Sequence, residues 1–408
     1  MSRENSQPII VVGGGQAAAA AIARMRELDK DIPITLIGDE NVLPYQRPPL
    51  SKAYLAGTMP LERLIFRPRQ WFDDNAVTLR LGERVESLHP QERQVVLYNG
   101  ETLSYSKLLL ATGSTPRLLP AEMGGALGNV HALRSVSDAD SLRPAVEGGG
   151  RLVIVGGGYI GLEVAAVARK TGLAVTLVEM GERILQRVAA PETSDFYRHL
   201  HGEHGVTLIE GVGLARLHGN GVVKVAELTD GTRLPADAVL MGIGVLPGSE
   251  LAELAGLNIE NGIAVDEHCR TSDPHIFAAG DCANFPHHGA RVRLESVPNA
   301  IGQGEVAAAN MLEHVTPYRA TPWFWSDQYD VKLQIAGLNT GYDKTIVRPG
   351  RREGAQSVWY YGGETLLAVD AMNDAPSFMM ARKALEAGVT IPAHVAADPA
   401  ANLKEWVG

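Results

Sequence analysis

Leu152-Val153-Ile154-Val155-Gly156-Gly157-Gly158-Tyr159-Ile160-Gly161 is the stretch that decides the fold. Four apolar residues, most of them β-branched, read as a buried strand; the glycines read as a tight turn, and Tyr159-Ile160-Gly161 as the start of a helix. The plan is repeated near the N-terminus, where Ile9-Ile10-Val11-Val12 leads into Gly13-Gly14-Gly15-Gln16-Ala17-Ala18. Glycines at these positions let a backbone approach a pyrophosphate closely, and the helix N-terminus offers it free N–H groups. One such turn is weak evidence, because glycine-rich loops are common. Two in one chain imply two dinucleotides, which suggests a flavin working with a nicotinamide.

Working outward, the first turn is followed by an expected helix from Gln16 to Leu28, a strand Ile34-Thr35-Leu36-Ile37, and then Asp39 and Glu40. The second is followed by a helix from Ile160 to Lys170, a strand Ala174-Val175-Thr176-Leu177-Val178, and then Glu179. An acid after a strand is ordinarily a solvated turn residue. Two acids, each the right distance after its own glycine turn, read instead as groups that meet ribose hydroxyls. A carboxylate at 179 would also repel the extra phosphate of NADP, which favours NADH. Arg183, four residues on, is either a surface arginine or a candidate for that phosphate.

Further buried strands are expected at Leu108-Leu109-Leu110, ending in Ala111-Thr112-Gly113, and at Ala238-Val239-Leu240-Met241, ending in Gly242. Another lies within Thr271–Asp281, with an acid at its C-terminal end, where open α/β sheets place ligands. Ser114-Thr115-Pro116-Arg117 reads as a linker. From Thr321 the texture changes: strand-like runs at Val331–Leu338, Thr345–Val347, Ser357–Tyr361 and Leu366–Val369, then a helix-like Ser377–Ala387, suggest a separate α+β domain. Trp323 and Trp325 alternate and are expected to face opposite ways if the segment is extended. The fold class is therefore α/β, with two Rossmann-like dinucleotide-binding domains and a C-terminal α+β domain. A chain of 408 residues has room for this on a prior of roughly 100–200 residues per domain.

The net charge of −10 argues against general nucleic-acid binding, which needs a basic surface. No run approaches ~18 uninterrupted apolar residues, and Met1–Pro8 is polar with both charge signs, so a cytoplasmic protein without membrane association is expected. Cys269 and Cys282 form no C-x-x-C pair, which argues against a flavin-linked redox disulfide. The spacing of His199, His201 and His204 does not place all three on one helical face; a solvated amphipathic helix, not a metal site, is expected.

Leu50-Ser51-Lys52, Gly156 to Glu163, Thr271 to Asp281, Glu295-Ser296-Val297-Pro298-Asn299-Ala300 and Trp323-Phe324-Trp325-Ser326-Asp327-Gln328 together resemble the pyridine-nucleotide:disulfide oxidoreductase superfamily. Within it, the chain is similar to the ferredoxin reductases of oxygenase systems. The resemblance implies a glutathione-reductase-like plan: an FAD-binding domain of residues 1–116 and 245–320, an NAD-binding domain of residues 117–244, and a C-terminal domain of residues 321–408 covering the flavin. It places Gly13, Gly15, Gln16, Ala17, Ala18 and Asp39 on the FAD diphosphate and adenosine end, with Val85, Ala111, Thr112, Gly113, Arg134 and Gly280 as further FAD contacts. Asp281 falls on the ribityl chain, Val297 on the pyrimidine edge, and Trp325 and Lys52 beside the ring, Lys52 being held by Glu163. Gly156, Gly158, Tyr159, Ile160, Gly161, Glu163, Glu179 and Gly242 fall on NADH. Lys52, Glu163 and Trp325 are the residues implied to act in catalysis.

The implied reaction carries electrons from NADH through FAD, one at a time, to an acidic 2Fe-2S ferredoxin that feeds a cytochrome P450 or Rieske-type oxygenase. A monomer is the expected state. Two departures stand out: Ala18 closes the first fingerprint, an accepted variant, and Glu305 lies where relatives can carry a basic residue. Arg47, Arg63, Arg67 and Arg69 either steer the acidic partner or are scattered solvated arginines. The alternatives on this scaffold are a rubredoxin reductase, an NADH oxidase or peroxidase, and an apoptosis-inducing-factor-like redox interaction protein. Oxidases and peroxidases usually carry a redox cysteine where Pro44–Lys52 has none.

Overall fold

The computed structural model describes residues 7–319 and 321–407; most of the polar N-terminal stretch lies outside them. The chain divides into two compact units. The first comprises the chain up to Arg47, Leu61–Thr115 and the chain from Leu246 towards residue 319. Its centre is a parallel sheet in the order Ile276–Ala278, Lys107–Leu110, Ile9–Val12, Ile34–Gly38, Val77–Leu81. A parallel sheet is covered on both faces, so its strands are apolar throughout, and every residue of Ile9–Val12 is buried. Helices Gln16–Leu28 and Val297–Met311 pack so closely that a Cβ built on Gly304 would lie 2.4 Å from the carbonyl oxygen of Ala17.

The second unit comprises Pro48–Pro60, Pro116–Val245 and the chain from Thr321. Its parallel sheet runs Thr207–Glu210, Ala174–Glu179, Arg151–Val155, Ala238–Met241, Val130–His131. Its antiparallel sheet runs Trp323–Gln328, Val331–Gly337, Thr365–Met372, Gln356–Gly362, Lys344–Pro349, backed by helix Ala375–Ala387. The expected elements are all present within a few residues, while Ser114–Pro116, read as a linker, is a short strand. No described helix is long and apolar enough to cross a membrane.

One expectation is overturned by the fold, and another holds for one helix face only. Residues two apart on a strand share a face, so Trp323 and Trp325 point the same way, with ring centroids 5.5 Å apart. Helix Pro191–Glu203 is not simply solvated: Thr193, Ser194, Tyr197, Leu200 and His201 are buried. His199 keeps to the solvated side with Asp195 and Glu203, and His204, just past the helix, is exposed as well. Among the described residues no group of three or more His, Cys, Asp or Glu is placed to hold a metal.

The C-terminal segment is held by one buried cation. Arg348 donates to the backbone carbonyls of Val395, Ala396, Asp398, Pro399 and Ala401. These include carbonyls at the end of helix Ala393–Ala397, where a helix has unfilled acceptors. Lysine lacks the planar fork that reaches several acceptors at once. Arg348→Lys is expected to destabilise this segment by about 2 kcal/mol, read as a lower melting temperature and earlier proteolytic cleavage after residue 390.

Asp370 is fully buried, accepting from Thr193 Oγ1 at 2.8 Å and from the Tyr360 hydroxyl. Burial outweighs these two bonds and pushes its carboxyl up to about 6. With a folded pKa above the unfolded value near ~3.9, the folded state binds more protons, so stability falls as pH rises from about 4 to 6. Asp370→Asn removes that penalty. It is expected to raise stability at pH 7 by on the order of 2 kcal/mol and far less at pH 4, measured by urea unfolding at the two pH values.

Candidate dinucleotide sites and the Lys52–Glu163 pair

In the first glycine turn, two glycines are required for different reasons. Gly13 has φ +111°, and a Cβ there would lie 2.2 Å from the carbonyl oxygen of Ala111. The chain itself needs this glycine, because the strand end Ala111-Thr112 lies against it. Gly15 is different: its φ is −92°, and a Cβ built on it would meet nothing within 4 Å. It caps helix Gln16–Leu28 with no side-chain bond to the first-turn N–H groups. No strain and no neighbour in the chain accounts for glycine here, but a closely approaching anion does. Ala18 is fully buried.

Around this turn, a Cβ on Gly38 would lie 3.8 Å from the backbone nitrogen of Gly14, so Asp39 leaves its strand beside the turn. Glu40, in contrast, accepts from the Tyr45 hydroxyl and from Arg47, each at 2.6 Å. Asp281 accepts from Ser114 Oγ at 3.0 Å, and a Cβ on Gly280 would lie 3.2 Å from that of Ala17. Val85 is buried in the core of the same unit, and Val297 opens the helix capped by Ser296. The motifs give no hint of Gln303. Its side chain is fully buried, and its Oε1 accepts from the Gly280 N–H at 2.8 Å and from Asn299 Nδ2 at 3.3 Å. The Gly280 bond fixes the amide's orientation, and Nε2 is left without an acceptor in the chain. A buried orphan donor costs about 1–3 kcal/mol, and here it lies against the glycine that adjoins Ala17. An FAD-sized anionic ligand fits this arrangement.

The second turn repeats the geometry. Gly156 has φ +108°, with a Cβ position 2.2 Å from the Gly242 carbonyl oxygen, and a Cβ on Gly161 would lie 2.3 Å from the Gly156 carbonyl oxygen. Gly158 caps its helix without a side-chain bond and faces open space. A cavity of about 910 Å³ opens here, lined by Gly156 to Tyr159, Glu179, Met180, Arg187 and Gly242 among others. Ile160, next in the turn, is half exposed.

Glu179 is anchored before any ribose arrives: Oε2 accepts from the Gly157 N–H at 2.6 Å and Oε1 from the Gly181 N–H at 2.7 Å. Each oxygen keeps a lone pair for a hydroxyl. Arg183 is neither a plain surface arginine nor part of the cavity wall, since its guanidinium donates to Ser194 Oγ at 2.5 Å. Arg187 lines the cavity instead, and nothing in the motif singles it out.

Lys52 and Glu163 meet within the second unit. Glu163 Oε2 lies 2.6 Å from Lys52 Nζ and accepts from Ser51 Oγ at 2.5 Å, while Oε1 accepts from Ser326 Oγ at 2.7 Å. Pro48–Ser51 forms a 3-10 turn, and Lys52 Nζ also donates to the Pro48 carbonyl at 3.2 Å. The carboxylate is almost wholly buried, so it needs this charge and these bonds. Phe324 and Ser326 share the face of their strand that meets helix Tyr159–Lys170, with Phe324 4.8 Å from the Tyr159 ring; Trp325 lies on the opposite face. Ser51 and Ser326 lie inside the Leu50–Lys52 and Trp323–Gln328 motifs, but only the fold reveals their shared carboxylate. Arg134 also lies in this unit, its N–H bonded to Asp138 just before the Ser135 helix cap.

The basic loop is partly neutralised: Arg47 pairs with Glu40, Arg69 lies 4.0 Å from Asp73, and Arg67 stacks over Trp71. Both cysteines are buried, with their thiols pushed up by burial, so neither is a reactive thiolate.

Two glycine cradles, each open to a diphosphate, and a buried Lys–Glu pair define a class: an oxidoreductase that holds two dinucleotides. The chain belongs to the pyridine nucleotide-disulphide oxidoreductase family, whose model matches residues 7–304, and a reductase C-terminal model matches residues 323–407. It is 41% identical to putidaredoxin reductase of Pseudomonas putida over 98% of this chain and 96% of that one. It is 40% identical to the ferredoxin–NAD(+) reductase component of the anthranilate 1,2-dioxygenase system of Burkholderia cepacia, over 99% and 100% of the two chains. A covalent putidaredoxin reductase–putidaredoxin complex superposes with a TM-score of 0.95 at 40% identity, covering 99% of each chain.

The two kinds of glycine separate experimentally. Gly15→Ala is expected to leave thermal stability nearly unchanged and to weaken FAD retention, measured as flavin released on dilution. Gly158→Ala should likewise raise the NADH KM with the fold intact. Gly13→Ala should lower stability by more than about 1 kcal/mol, because there the clash is with the chain itself.

Proposed function

We propose that the chain is an FAD-dependent NADH:ferredoxin oxidoreductase that supplies a 2Fe-2S ferredoxin of an oxygenase system. The observation that carries this reading is the pairing of two open glycine cradles with the buried Lys52–Glu163 pair, in a chain similar throughout its length to ferredoxin reductases. Bound FAD supplies the conversion between the two-electron hydride of NADH and a one-electron iron–sulfur acceptor.

The protein residues do the rest. The Gly13–Ala18 turn, Asp39 and Asp281 hold the FAD, with Gln303 fixing the Gly280 N–H from behind; the Gly156–Gly161 turn, Glu179 and Arg187 hold NADH. Lys52, fixed by Glu163, brings a positive charge to the flavin side of the site, and Trp325 borders it. Val85, Ala111, Thr112, Gly113, Gly280, Arg134 and Val297 complete the FAD contacts, and Gly242 supports the NAD turn. The domain boundaries of this reading are residues 1–116 with 245–320, 117–244 and 321–408. A cytoplasmic location is consistent with two free, buried cysteines.

NADH-driven turnover with a panel of acidic 2Fe-2S ferredoxins, a rubredoxin, oxygen and peroxide tests the reading. Saturable, salt-sensitive reduction of one 2Fe-2S protein is expected. Preference for rubredoxin would reassign the partner, and preference for oxygen would make the protein an oxidase. Glu163→Gln is expected to slow flavin reduction by NADH by roughly tenfold or more in stopped flow; an unchanged rate would remove the Lys52–Glu163 pair from the mechanism.

A further inference from the structure

Behind Glu163 runs a chain of buried polar side chains that the reaction as described does not use. Ser326 Oγ, 2.7 Å from Glu163 Oε1, receives Gln328 Nε2 at 3.2 Å. Gln328 Oε1 lies 2.8 Å from His201 Nε2, and His201 Nδ1 lies 3.5 Å from the Tyr329 hydroxyl. Ser326, Gln328 and His201 are all fully buried. They come from a strand and a helix far apart in sequence, and Ser326 and Gln328 share one face of their strand.

The direction of every bond is dictated by the carboxylate. A carboxylate only accepts, so Ser326 spends its single proton on Glu163 and must itself accept from Gln328. That turns the Gln328 carbonyl towards His201, so His201 carries its proton on Nε2. A neutral imidazole has one N–H, which leaves Nδ1 to accept from Tyr329. His201 is neutral at working pH, since burial, with a smaller contribution from nearby His204, pulls its pKa down to about 4. The chain therefore points one way, from Tyr329 to Glu163, and an amide in its middle makes it a holder rather than a path for protons.

We propose that Gln328 and His201 are positioning residues for the Lys52–Glu163 pair: the one-way chain Tyr329–His201–Gln328–Ser326 fixes the Glu163 carboxylate, and through it the lysine. The inference rests on the proposed role of that pair. Its distinctive consequence is remote: the tautomer of His201 is set by Glu163, with two side chains between them.

The test uses the FAD-loaded full chain with nitrogen-15-labelled histidine. Wild type should show His201 solely as the Nε2–H tautomer at neutral pH. Ser326→Ala, which does not touch the ring, should give a mixture, because the Gln328 amide is then free to turn. In stopped flow, Gln328→Leu should slow flavin reduction by roughly tenfold while the NADH KM changes by less than about twofold. His201→Gln, which keeps a donor to Gln328, should retain the wild-type rate, whereas His201→Phe should not; these two variants serve if Gln328→Leu loses its flavin or fold. A His201 tautomer unmoved by Ser326→Ala, or a His201→Phe rate equal to wild type, overturns the inference. If Glu163→Gln slows reduction and the Gln328 and His201 variants do not, the pair survives and the chain behind it is dismissed. If Glu163→Gln has no effect, the underlying reading fails first.

Discussion

A buried carboxylate imposes a strict condition: every oxygen lone pair and the full charge must be answered from within the protein. Glu163, on the helix behind the second glycine turn, meets it with groups from two other stretches of chain. Ser51 closes the Pro48–Ser51 3-10 turn and Lys52 follows it, while Ser326 comes from the first strand of the C-terminal sheet. Moving any one of them leaves a charge or a hydroxyl unanswered, a cost of several kcal/mol for a buried ion. Local conformation at the loop is thereby tied to the helix that starts at the NAD cradle. The presence of Pro48–Pro60 in the same compact unit as Pro116–Val245 has this physical basis.

The glycine turns show how fold and function divide the same short motif. Gly13 and Gly156 hold left-handed backbone against a neighbouring strand end, and Gly161 lets a helix sit on its turn; these answer to packing. Gly15 and Gly158 answer to nothing in the chain. Helix caps are ordinarily Ser, Thr, Asp or Asn, whose side chains fill the first N–H groups. Glycine leaves those groups bare, which costs helix stability unless an anion takes the place of the cap. In both turns the residue that weakens the helix is the one that leaves room for an anion.

This division also explains how much of the molecule is legible in its sequence. Strands such as Ile9–Val12 and Arg151–Val155 are legible because parallel strands are apolar on both faces, and the turns because glycine spacing is local. The three-stranded sheet of Val85–His89, Gln94–Leu97 and Thr102–Ser104 is not, because its strands are short and half polar. The buried side chains that hydrogen-bond behind these motifs, Gln303, Ser326, Gln328 and His201, are ordinary polar residues with partners far off in sequence. His201 even belongs to a histidine group whose spacing suggests a solvated helix. The reversal for the tryptophans is of another kind, since a two-residue spacing on a strand puts side chains on one face whatever the tertiary context.

The NAD cradle carries the coupling of fold and specificity furthest. Glu179 is held at both oxygens by backbone N–H groups, those of Gly157 within the turn and Gly181 after the strand. Its negative charge therefore cannot swing aside to admit a phosphate on the adenine ribose, and the ordering that ribose recognition needs is already present in the chain. The same anchoring makes the carboxylate part of the turn's own structure. In the proposed role, exchanging it for an apolar side chain would remove the charge that disfavours NADPH and leave two backbone donors short of an acceptor in one stroke. In the proposed role of Glu179, cofactor choice and the shape of the loop would rest on the same two hydrogen bonds, and a change of cofactor at this site would require a new acceptor for Gly157 and Gly181 as well as a new charge.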